Sequence, residues 1–162
     1  VDRAQYARLL VAYDGWANQR IMSNLFGLDE SDAGPGASWE TVFGSMAHVV
    51  GSQAVWLSRF RGTAFDSPEP EELSELESQA RRVQADLTTF AAELVDGDLV
   101  RKVKFKDKRG NPHEEELGIL LAHVVNHGTY HRGEAALMLT RVDRSPGDLD
   151  LVVYRRQTVP GT

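Results

Sequence analysis

The sequence has 162 residues, 41% hydrophobic and 26% charged, with a net charge of −6 and no cysteine. That length suits one domain over residues 1–162 with a real core and is short for two. The acidic balance and scattered basic residues argue against a nucleic-acid partner, and the lack of cysteine excludes disulfides, thiolate metal ligands and a cysteine nucleophile.

Charges begin at Asp2, and no apolar run is long enough to span a membrane. Neither a signal peptide nor a membrane partner is expected, and the cytoplasm is the expected compartment. Apolar residues at spacings of three and four predict a first helix from about Arg3 to Phe26, through Tyr6, Leu9, Leu10, Tyr13, Trp16, Ala17, Ile21 and Leu25. Asp2 is its expected cap, and Gly27 stands just past its end. After the breaker-rich GLDESDAGPGAS, Ser38 is the expected cap of a second helix, with Glu40 in the favourable first turn. That helix runs through Val42, Phe43, Met46, Val49, Val50, Leu57 and Phe60 to Gly62.

DSPEPEE is expected to open a third helix, its glutamates suiting the positive end of the helix dipole. Leu73, Leu76, Ala80, Val83, Leu87, Phe90 and Leu94 form its packing seam, and Gly97 is its expected end. In LVRKVKFKDKRGNPHEEE, Val103 and Phe105 alternate with lysines around a DKRG turn. This predicts a short hairpin with a lysine-rich edge; the other possibility is that Asn111-Pro112 opens the next helix directly. HEEE, from His113 to Glu116, reads as solvated charge. A fourth helix follows from about Glu116 to Arg141, and the apolar piece Leu149 to Tyr154 is expected to pack back on the bundle. The expected fold is all-α, a four-helix bundle with one small β-hairpin before the last helix.

The fourth helix carries HVVNHGTYHRGEA, with His123, His127 and His131 four apart. At about 100° per residue, His131 lies about 45° from the apolar direction, His127 about 85° and His123 about 125°. The outer two are separated by roughly 12 Å along the axis, while Zn–N bonds are about 2 Å. One ion therefore takes an adjacent pair and a third ligand from elsewhere. The wheel selects His127 and His131, and leaves His123 exposed or supporting. His48 lies on a stripe of Gly44, Ser45, Gly51, Ser52 and Val55, which suits either a cleft floor or a simple exposed histidine. The element is not HExxH, and the Glu-x-x-His pairs of a di-iron bundle are missing. Gly128 and Gly133 each cost roughly 1 kcal/mol in a helix and mark either tight packing or an open pocket. Arg132 reads as a surface ion-pair partner or an anion clamp.

LLAHVVNHGTYHRGEAALMLTR resembles the last helix of the DinB family of DinB/YfiT-like metalloenzymes. YDGWANQRI (Tyr13 to Ile21) resembles the first helix of that family, and ETVFGSMAHVVGSQAVWLSRF its second, lone histidine included. VKFKDKRGNPHEEELG resembles the hairpin, and DLDLVVY the tail. The resemblance implies up–down–down–up connectivity, a homodimer, and a divalent ion, zinc or nickel, held by His48, His127 and His131. It also points to enzymes that use low-molecular-weight thiols, and its name carries no DNA role.

Three neutral imidazoles leave a divalent ion with open positions, the layout of a catalytic site. Such an ion acidifies a bound water or a bound thiol. With no cysteine in the chain, the thiol would come from a cosubstrate. Three functions are expected to compete: a thiol-using transferase acting on a small electrophile, a metal-dependent hydrolase, and a stress-linked dimer with a structural or regulatory metal. Asn18, Tyr130, Arg132 and Glu134 are the candidate catalytic residues. Glu134 lies near the angle of His127 and is the candidate acceptor that orients a ligand.

Overall fold

The computed structural model describes residues 2–26, 28, 39–65 and 69–158. It is mostly helical with a small two-stranded antiparallel sheet. The elements are α1 (Arg3–Ser23), α2 (Trp39–Arg61), α3 (Leu73–Glu93), β1 (Lys102–Lys106), β2 (Pro112–Glu116), α4 (Leu117–Arg141) and α5 (Leu151–Thr158). A 3₁₀ turn, Asp96–Val100, precedes β1.

Asp2 caps α1 by accepting the Gln5 N–H at 2.5 Å. The helix stops at Ser23, because Asn24 and Leu25 donate three residues back, to Ile21 and Met22, and tighten its end. The expected end at Phe26 was therefore one turn too long; Gly27 and the Ser38 cap lie outside the described residues. Helix α3 opens at Leu73, later than DSPEPEE suggested. It ends at Glu93, and Gly97 lies inside the 3₁₀ turn that follows. The hairpin is present, with Pro112 as the first residue of β2 opposite Lys106, so Asn111-Pro112 does not open a helix. The Asp107 carboxylate closes the turn by accepting the N–H groups of Arg109 at 2.8 Å and Asn111 at 2.9 Å. The turn places Gly110 at φ 86°, a conformation that favours glycine.

Helix α1 packs against α3 and α4, and α2 packs against the same two. Helix α1 runs alongside α4 in the same direction: Asp14 meets Arg132, and Arg20 reaches Pro146 beyond the end of α4. It opposes α3, with Arg8 donating to Leu94 and Gln84 donating to the Val11 carbonyl. Helix α2 opposes α4, because His48 meets His131 and Trp56 meets His123. It runs with α3, as the Phe60–Phe90 stack near both C-termini shows. Ile21, Met46, Val50, Leu76, Leu117 and Leu139 are fully buried between them. Each such side chain contributes about 1.5–3 kcal/mol through removal from water. Leu151 and Tyr154 of α5 pack on Tyr13 and Ala17, as expected of the tail. Among the described residues, no helix is long and apolar enough to cross a membrane.

Candidate metal centre

Helices α2 and α4 bring His48, His127 and His131 together, with one ring nitrogen of each within 4.8 Å of the others. The Nε2 atoms of His48 and His127 are 3.2 Å apart. Two nitrogens each about 2 Å from one tetrahedral ion stand roughly 3.3 Å apart, so this pair already has the spacing of two ligands. His131 donates from Nδ1 to Glu134 Oε2 at 2.8 Å, which leaves its Nε2 for the cluster. A carboxylate on the far nitrogen fixes the tautomer and orients the ring, as in many imidazole metal sites. Glu134 also accepts from the exposed Tyr130 phenol. Donor type, number and spacing all fit a divalent ion.

The electrostatics point the same way. Burial is the largest influence on His127, and the neighbouring His131, His48, His123 and Lys108 add to it; its pKa is pushed down to about 4. Burial also lowers His48, followed by His131 and Lys108. These two rings are therefore neutral near pH 7, the form that binds a metal. Hydrogen bonds from His131 and Tyr130 hold the Glu134 carboxyl below its usual range.

The structure separates the α4 histidines as the wheel did, with His127 and His131 half-buried and His123 exposed, and places the first two in the same burial range. His123 stands edge-on to Trp56 at 5.4 Å. His48 is exposed, and a Cβ added at Gly44 or Gly51 would meet nothing within 4 Å. The stripe of small residues thus borders open space, and His48 is an exposed histidine whose ring meets those of His127 and His131. His113 stays in the hairpin, bonded to Asp107, and the glutamates after it pair with Lys102 and Lys104 across the sheet.

Arg132 is not on the surface. It is 1% exposed and donates from Nη1 to Asp14 Oδ1 at 2.5 Å and to Asn18 Oδ1 at 2.8 Å. Its Nη2 donates to Thr129 Oγ1 at 3.0 Å. Gln53 donates to the other Asp14 oxygen and accepts from Asn18 Nδ2 at 3.4 Å. Burial pushes the Asp14 carboxyl up, against the pull of the Arg132 charge and of the hydrogen bonds from Arg132 and Gln53. Asn18 therefore contacts this ring of polar side chains. Gly128 makes room for it: a Cβ there would lie 2.6 Å from Arg132 Nη1 and 2.9 Å from Asp14 Oδ1. A Cβ at Gly133 meets nothing within 4 Å.

Sequence reasoning passed over Asp14, Gln53, Trp56 and Lys108. Asp14 had a usable signal: it shares a helix face with Leu10, Ala17 and Ile21, where a charge requires a buried partner. Lys108 had none, since only the folded hairpin brings it near His48 and His127.

The family model described as "DinB family" matches residues 3–162. The chain is also similar to Protein DinB of Bacillus subtilis (strain 168), 26% identical over 172 residues that cover 96% of this chain and 98% of that protein. No solved structure matches it. A match over nearly the whole length, with the motif histidines gathered in space, leads to one assignment: the chain belongs to the DinB family.

Proposed function

We propose that the protein is a metal-dependent enzyme in which His48, His127 and His131 hold zinc or nickel, and that it transfers a low-molecular-weight thiol to a small electrophile. The observation that carries this reading is the convergence of three imidazoles with no fourth His, Asp or Glu joining them among the described residues. A structural site would be closed by a fourth protein ligand; an incomplete set leaves positions for substrate. The fold is read as an up–down–down–up four-helix bundle, supported by α1 running with α4, α2 with α3, and the two pairs opposing each other. A homodimer belongs to the same reading, supported by exposed Tyr6, Val100 and Ile119 beside one another along α1, the 3₁₀ turn and α4.

A divalent ion bound there would acidify a thiol without a separate protein base. The same ion would also acidify a bound water, so the preference for thiol transfer over hydrolysis rests on the family resemblance and on the thiol-and-electrophile test below. His131 is held in orientation by Glu134, and the small residues around His48 leave space for the cosubstrate. Arg132 and Asn18 face the buried ring and take no part in proton transfer in this scheme.

The test is metal content by elemental analysis of the purified protein and of His48→Ala, His127→Ala and His131→Ala, followed by incubation with thiols and electrophiles. We expect about one ion per chain, its loss in each variant, and conjugate formation that needs both metal and thiol. Full metal retention in all three variants would end the site assignment. Metal-dependent ester or amide cleavage without thiol would move the reading to a hydrolase.

A further inference from the structure

We infer that the buried ring Asp14–Arg132–Asn18–Gln53 is a positioning device for the histidine cluster, setting the aim of its rings rather than the stability of the fold. The inference rests on the metal-site reading above.

The ring joins the helices that matter to the site. Asp14 and Asn18 come from α1, Gln53 from α2 and Arg132 from α4. Helix α2 also carries His48, five residues before Gln53, and α4 carries His127 and His131, the latter adjacent to Arg132. Successive helical residues point about 100° apart. Holding the Arg132 guanidinium against Asp14 therefore fixes the rotation of α4 and the direction in which His131 leaves it. Gln53 does the same for α2, since it is bonded to both α1 members at once. One polar ring thus ties both histidine-bearing helices to a common post on α1.

Stability alone does not account for this arrangement. Removing a guanidinium and a carboxylate from water is costly, and well-packed apolar residues of similar volume often hold a fold as well or better. Directional hydrogen bonds do what apolar packing does poorly: they permit one rotation and one register. The ring also demands glycine at position 128, one residue after His127, because any side chain there would strike the guanidinium and the carboxylate. Glu134 then fixes the His131 ring from its far nitrogen. The ring of buried side chains sets the backbone, and Glu134 sets the imidazole.

The test compares the wild-type chain with two variants. Asp14→Leu/Asn18→Leu/Gln53→Met/Arg132→Met replaces the whole ring by apolar side chains. Gln53→Met keeps the ion pair and cuts only the tie to α2, and serves if the quadruple variant does not fold. Readouts are the unfolding midpoint of metal-free protein, Zn²⁺ affinity by chelator competition, and the absorption spectrum with Co²⁺. We expect the quadruple variant to keep or raise the midpoint while its Zn²⁺ affinity falls roughly tenfold or more, the range for groups that orient ligands. Gln53→Met should lose several-fold, and both should show altered Co²⁺ bands. Zn²⁺ affinity within twofold of wild type, with an unchanged Co²⁺ spectrum in a folded variant, overturns the inference. If wild type takes up neither ion, the metal-site reading fails by itself. The positioning claim is then read from imidazole ¹⁵N NMR of metal-free protein. Shifted and broadened signals for His48, His127 and His131 in the variants support it; unchanged signals overturn it.

Discussion

Substituting the two glycines of α4, Gly128 and Gly133, by alanine should move stability in opposite directions. Both lie inside the helix, where alanine is better than glycine by about 0.8–1.0 kcal/mol. Gly133→Ala adds a methyl that meets nothing within 4 Å, so the propensity gain is its whole effect. Gly128→Ala places its methyl 2.6 Å from Arg132 Nη1 and 2.9 Å from Asp14 Oδ1. Arg132 is a flexible side chain, but this end of it is buried and bonded on both nitrogens, so it cannot swing aside without leaving Asp14 uncompensated. Breaking a buried pair in that way costs about 3–5 kcal/mol. Net of the helix gain, the loss is about 2–4 kcal/mol. For a chain of this size each kcal/mol moves the thermal midpoint by about 2–4 °C. Gly128→Ala should therefore melt about 4–16 °C lower, and Gly133→Ala about 2–4 °C higher, in parallel calorimetric scans of metal-free protein. Similar increases in both variants would show that the guanidinium has another place to go, and the reasoning about the ring would fail.

Glu134→Ala should weaken Zn²⁺ binding roughly 10- to 100-fold in chelator competition, because His131 loses the carboxylate that orients it. Glu134→Gln keeps an acceptor and should lose less, and in both variants the Tyr130 phenol should titrate at lower pH by absorbance, since the Glu134 carboxylate now holds it up. Lys108→Ala should raise the His127 pKa from about 4 in an NMR titration at low salt, because the lysine charge is one of the influences pushing it down; no upward movement would place the hairpin tip away from the cluster. Metal-free protein should lose stability as pH falls from the ordinary histidine value of 6.5 toward about 4, since across that window the unfolded chain binds the proton that folded His127 resists. His127→Gln should flatten that slope, and an unchanged slope would assign the acid sensitivity to other groups.

The helices were legible because their signals are local. The seam from Leu73 to Leu94 repeats at three and four, and Asp2 caps α1 with its own side chain. The start of α4 was read to within one residue of Leu117, although no side-chain cap announces it; the end of α1 was not, because the backbone N–H groups of Asn24 and Leu25 turn back onto Ile21 and Met22 and close the helix early. The pairing of His127 with His131 could be worked out from helical geometry alone, because both share one turn of one helix. His48 could not be placed by periodicity, since its meeting with His127 spans 79 residues of sequence and depends on how α2 crosses α4. Arg132 was misread as a surface residue for a related reason. A guanidinium reads as exposed until its carboxylate is found, and Asp14 lies 118 residues away on another helix.

That misreading bears on what α4 accomplishes. Over the turn from Gly128 to Arg132 the helix accepts a glycine in its interior, a buried charge, and a half-buried ring whose partner is a carboxylate. Taken singly, the first two lower stability. Taken together they stop being independent, because the glycine is where the guanidinium lies, and the guanidinium shares its anchor, Asp14, with Gln53 of α2. Exposed His123, a turn earlier, has no such support beneath it and rests on Trp56. The two histidines on the supported side of the helix are the two that meet His48. The burial of charge and the gathering of imidazoles thus occupy the same turns of α4 and join the same two helices, the pattern expected if the first exists to hold the second.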